Sequence, residues 1–69
     1  MNTMNIHING ESRTIEQAGS VAELLIELGL AEKRVAVERN GVLVPRSRHT
    51  EQPIRDGDRI EIVQAIGGG

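Results

Sequence analysis

At 69 residues and a formal charge of −2, the chain has room for one small domain and too weak a field to gather nucleic acid or anionic lipid. It contains no cysteine, which excludes disulfides, a thiol nucleophile and cysteine-ligated zinc or iron–sulfur sites. Phe, Tyr and Trp are also missing, so there are no stacking platforms for single-stranded nucleic acid and no aromatic interface anchors.

Met4, Ile6 and Ile8 alternate with Asn5, His7 and Asn9, the period-two pattern of a half-buried strand. Asn9-Gly10 comes next as a hairpin signal, because both residues tolerate positive φ. The returning strand, roughly Glu11 to Ile15, is polar, and Glu16 to Gly19 reads as a connection.

Ser20 with Glu23 three residues on forms a capping-box pattern that opens a helix. Val21, Leu24, Leu25 and Leu28 then make a single apolar stripe. Gly29 is placed for a left-handed stop, with Leu30 as the hydrophobic contact after it. Ile26 falls off the stripe.

Val35 and Val37 begin another strand, and Asn40-Gly41 repeats the hairpin signal. Val42 to Val44 return from it and end at Pro45, which has no N–H for a ladder. Arg46 to Arg55 reads as irregular and hydrophilic, with a helical turn around Ser47 to Thr50. Asp56-Gly57-Asp58 is a tight turn, and Ile60 and Ile62 alternate with Arg59, Glu61 and Val63 in a last strand.

The order β-β-α-β-β-β with one apolar helical stripe predicts an α+β domain, a helix across one face of a mixed sheet of about five strands. Pairing the last strand centrally with the first aims the C-terminus away from the body, which is the ubiquitin-like β-grasp arrangement. The expected organisation is a domain over 1–64 and a flexible tail over 65–69. That tail, Ala65-Ile66-Gly67-Gly68-Gly69, ends in residues without Cβ atoms that go extended at little cost. It can thread a narrow channel and offer its carboxylate to a reagent, or it can be a frayed terminus; the tail alone does not choose between them.

The chain resembles the family of sulfur carrier proteins of thiamine biosynthesis. The resemblance rests on Met4-Asn5-Ile6-His7-Ile8-Asn9-Gly10, on Val21-Ala22-Glu23-Leu24-Leu25 and on Val35-Ala36-Val37-Glu38-Arg39-Asn40-Gly41. It continues through Val44-Pro45-Arg46 and Asp56-Gly57-Asp58-Arg59-Ile60-Glu61-Ile62-Val63 to the closing Gly68-Gly69. These segments cover nearly the whole chain in order. One departure is His49, which stands where the family often has an aromatic residue.

The resemblance implies a carrier and not an enzyme. A partner adenylyltransferase would use ATP to turn the Gly69 carboxylate into an acyl-adenylate. Sulfur from a persulfide on a sulfur-donating protein would displace AMP, and the thiocarboxylate would pass to thiazole synthase. No cofactor is expected to be bound, and the free carrier is expected to be a monomer. Gly67 and Gly68 let the tail thread the adenylation site, while Ala65, Ile66 and an exposed Val63 are the expected partner contacts.

Two related readings share the terminal chemistry: a carrier for molybdopterin synthesis, and a protein modifier joined to lysine through Gly69. A β-grasp binding module with an incidental tail is a further alternative. His7 and His49 have no partner spacing that suggests a metal or a general base. Asp56 and Asp58 are read as turn residues, and Arg39, Arg46, Arg48, Arg55 and Arg59 as a solvated face. No apolar run reaches the length of a membrane span, and Met1 to His7 has no signal-peptide pattern, so the cytoplasm is the expected compartment.

Overall fold

The computed structural model describes residues 3–16 and 19–64. Along the chain run β1 (Thr3–Ile8), β2 (Glu11–Glu16), α1 (Val21–Glu27), β3 (Val35–Arg39), β4 (Val42–Val44), a 3₁₀ turn (Arg46–Arg48) and β5 (Arg59–Gln64). The five strands form one sheet in the order β2-β1-β5-β3-β4. β5 is central, parallel to β1 and antiparallel to β3, as the expected β-grasp requires. Sheet strands alternate their side chains between two faces, so Met4, Ile6, Ile8, Ile60 and Ile62 enter the core while Asn5, His7, Glu61 and Val63 face outward.

The core is wholly aliphatic. α1 contributes Val21, Leu24 and Leu25, with Leu28 and Leu30 packed at its margin. Ile6, Leu24, Val21, Val37 and Ile60 are the most deeply buried side chains. β2, polar by sequence, contributes only Ile15, paired with Met4 across the sheet. As an edge strand it needs one buried anchor and little more.

Both helix ends are set by local chemistry. At the N-terminus the Glu23 N–H donates to the Ser20 hydroxyl at 3.3 Å. The Glu23 carboxylate reaches back to the Gly19 N–H, one residue beyond the usual capping-box partner. The first two helical N–H groups are satisfied from afar, Val21 by the Gln52 carbonyl at 2.9 Å and Ala22 by the His49 carbonyl at 2.8 Å. At the C-terminus Gly29 has φ 77°, its N–H donates to Ile26 at 3.0 Å, and the Leu30 N–H donates to Leu25 at 2.8 Å. Those two bonds define a Schellman stop. Ile26, off the stripe, is 64% exposed.

The segment after Pro45 differs from its hydrophilic appearance. Ile54 belongs to the core, and His49 is buried with its Nε2 donating to the Val44 carbonyl at 3.1 Å. A long connection over the end of a sheet must fix its backbone polar groups, and it does so by capping α1 from one side and anchoring on Val44 from the other. Among the described residues no helix is long and apolar enough to cross a membrane.

Candidate functional site

The site predicted from sequence is the C-terminal end of β5 together with the glycine tail. Ala65, Ile66, Gly67, Gly68 and Gly69 lie outside the described residues, so the geometry concerns the strand that delivers them. β5 pairs with the whole of β3, from Arg39 opposite Ile60 to Val35 opposite Gln64. On the other flank its ladder with β1 is short, His7 with Arg59 and Ile8 with Ile60. The last residues before the tail are therefore held mainly from one side.

Val63 is exposed, at 65%, as its position in the alternation predicts. It sits opposite Ala36 on β3, and Leu43 of β4, 60% exposed, lies on the same outer face opposite Glu38. Glu38 is in turn opposite Glu61. The outer face at this end is thus an aliphatic strip beside two facing carboxylates, an arrangement that is mildly unfavourable in isolation. The sequence predicts the exposure of Val63 and gives no placement for Leu43. The signal was available in the alternation of Val42, Leu43 and Val44, but the face had to wait for the register with β3.

The beginning of β5 is anchored by Asp58, which is buried. Its carboxylate accepts from Arg39 Nε at 2.7 Å and from the second Arg39 nitrogen at 3.3 Å. It also accepts from the Asn40 side-chain amide at 3.1 Å and from the Arg55 N–H at 2.8 Å. Burial pushes this carboxyl upward, but the Arg55 backbone bond, the Arg39 and Asn40 side-chain bonds and the Arg39 charge outweigh it and hold it below the ordinary value. Asp56 is committed as well, accepting from the Asn5 N–H at 2.6 Å, while the Gly57 N–H donates to the Asn5 carbonyl at 2.7 Å.

Both acids therefore do structural work at a turn, as the sequence suggests. Arg39 departs from the expected solvated face, because Asp58 draws it into a part-buried ion pair. Arg46, Arg48, Arg55 and Arg59 are exposed. His7 is exposed on β1, and the buried His49 is occupied by the Val44 carbonyl. Among the described residues no group of three His, Cys, Asp or Glu could hold a metal ion.

Comparison with known proteins agrees with this architecture. The chain is 47% identical over 66 residues to a thiazole synthase of Paramagnetospirillum magneticum, covering 96% of this chain and 20% of that protein. It thus spans only a fifth of the length of the thiazole synthases it matches, both covered over 20% of their length. It is 35% identical over 65 residues to the sulfur carrier protein ThiS of Bacillus subtilis, covering 93% of this chain and 98% of that protein. The crystal structure of a thiamine biosynthesis protein (ThiS) from Geobacter metallireducens superposes with a TM-score of 0.80 at 36% identity, covering 96% of this chain and all of that one. The model of the ThiS family matches residues 6–69, from the second buried residue of β1 through the last glycine, and the chain belongs to that family.

Proposed function

We propose that the chain is a sulfur carrier for thiazole formation in thiamine biosynthesis, with the Gly69 carboxylate as the group that is activated and loaded. The observation that carries this reading is β5: a central strand, paired with β1 at its start and with β3 up to Gln64, whose sequence runs on into the terminal glycines. In this reading the folded part is the handle and the terminal glycines, which follow β5 in the sequence, are the reactive part. In this role the chain is a co-substrate of other enzymes and performs no catalysis itself.

A carboxylate resists nucleophilic attack because of its charge and its poor leaving group. A partner adenylyltransferase, acting with ATP, overcomes both by forming the acyl-adenylate of Gly69. The outer sulfur of a persulfide on a donor protein then attacks the acyl carbon and expels AMP, giving an acyl disulfide. A thiol reductant cleaves its S–S bond to leave the thiocarboxylate. That sulfur is anionic and nucleophilic, and it is delivered to thiazole synthase. Gly67 and Gly68 let a narrow site close around the backbone and exclude water from the hydrolysable adenylate. The protein supplies presentation, as group carriers do.

The outer strip of Val63, Ala36 and Leu43, together with the tail residues Ala65 and Ile66, is the surface that docks on these partners. Its Glu38–Glu61 pair favours a partner patch carrying a basic residue, which would relieve the like-charge contact. The small, aromatic-free area suits transient docking, as a carrier that visits several proteins needs. The match to a segment of proteins called thiazole synthase supports that enzyme as the acceptor.

The test is intact mass spectrometry after incubation with ATP, the cognate adenylyltransferase and a sulfur source. One oxygen-for-sulfur exchange localised to Gly69 is the expected result. An unchanged mass under conditions that load a known carrier overturns the proposal.

A further inference from the structure

Asn9 and Asn40 both have the positive φ that an Asn-Gly turn demands, 50° and 52°. Each also does something a glycine in the same turn could not. The Asn40 N–H donates to the Arg59 carbonyl at 2.7 Å, and its side-chain oxygen accepts from the Arg59 N–H at 2.8 Å. The Asn9 N–H donates to the Ile60 carbonyl at 2.9 Å. The next rung of a parallel ladder would run from the Ile62 N–H to the Asn9 backbone carbonyl. The chain has by then turned away into β2, and the Asn9 side chain takes over. Its Oδ1 accepts from the Ile62 N–H at 2.8 Å, and its Nδ2 donates to the Ile62 carbonyl at 3.1 Å.

A primary carboxamide offers its C=O and an N–H side by side, so it can stand in for the carbonyl and the N–H that two successive peptide units of a continuing strand would turn toward Ile62. We propose that Asn9 is a positioning residue for the C-terminal end of β5: its carboxamide extends the β1 flank to Ile62 and sets the course of the strand up to Gln64, the last described residue before Gly69 and its neighbours. At the opposite end of β5 Asn40 replaces only the acceptor, its side-chain oxygen taking the Arg59 N–H while its side-chain nitrogen donates to Asp58. This inference rests on the carrier reading above. Docking through the outer face sets how tightly a partner binds. The Asn9 clamp sets what fraction of docked complexes hold Gly69 in line for activation, so its loss reads out in kcat and not in KM.

The experiment compares Asn9→Gly, Asn9→Asp and Asn40→Gly with the wild-type chain, all of which keep a residue suited to the turn. Amide exchange is followed by NMR, and ATP-dependent loading of Gly69 is measured over a range of carrier concentrations. In Asn9→Gly the Ile62 amide exchanges about five- to tenfold faster, and kcat falls about tenfold with KM within about twofold. Asn9→Asp keeps the acceptor but sets a carboxylate against the Ile62 carbonyl, and its kcat lies between the two. Asn40→Gly speeds exchange at Arg59 and leaves kcat within about twofold of wild type. An Asn9→Gly chain with native exchange at Ile62, with unchanged kcat, or with its loss confined to KM overturns the proposal. Wild-type protein that takes no sulfur sinks the carrier reading instead.

Discussion

At its N-terminal end β5 is anchored by charge, through a buried Asp58 that gathers Arg39, Asn40 and the Arg55 N–H, whereas its C-terminal end is held on the β1 flank by one neutral carboxamide. Charged hydrogen bonds are the stronger kind and cost most when a partner is removed. The anchored end thus secures the fold, and the other end is aligned by the Asn9 carboxamide and the β3 ladder at a lower cost to stability. The contrast suits a carrier: one end of β5 holds the fold and the other is aligned for the glycines that follow in the sequence.

The sharpest separation of the two ends comes from deleting Gly68 and Gly69. All sulfur loading should be lost, while the urea midpoint of unfolding stays where it was, because neither glycine has a side chain to bury and the last core residue among the described ones is Ile62. A deletion that lowers the midpoint would mean the tail belongs to the folded body. Asp58→Ala attacks the other end. It strands the half-buried Arg39 guanidinium and two further donors, and should cost about 2 to 3 kcal/mol in chemical denaturation.

Acid provides a milder version of the same break. The folded-state pKa of Asp58 is lower than its unfolded value, so its contribution to stability is fully present above the ordinary carboxylate range. That contribution fades as the pH falls from about 5 through the depressed folded value. Denaturation midpoints measured down that range should show the decline in wild type and a flatter slope in Asp58→Asn. An equal slope in both would remove Asp58 from the account.

The smallest effect on stability, and a selective one on function, is expected from Val63→Asp. An exposed position should change stability by no more than about 0.5 kcal/mol. Replacing an aliphatic contact by a hydrated carboxylate that docking must desolvate should nevertheless raise the KM for loading about tenfold. Paired with Asn9→Gly, this variant separates docking from tail alignment: one should move KM and the other kcat.

The amino-acid sequence by itself determined whatever depends on neighbours a few residues apart. Alternation gave the strands, Asn-Gly placed both hairpins, and Ser20 with Glu23 and Gly29 bounded the helix. Only the tertiary structure decided which residues meet from opposite ends of the chain. Asn9 and Ile62 are separated by 53 positions, Asn5 and Asp56 by 51, and Arg39 and Asp58 by 19. The burial of His49 and Ile54 and the shared face of Leu43 and Val63 have the same origin. Local preference acts through the backbone and its nearest side chains, and it carries no record of register. Register is fixed when β5 enters between β1 and β3, and with it the partners of every side chain that grips the strand.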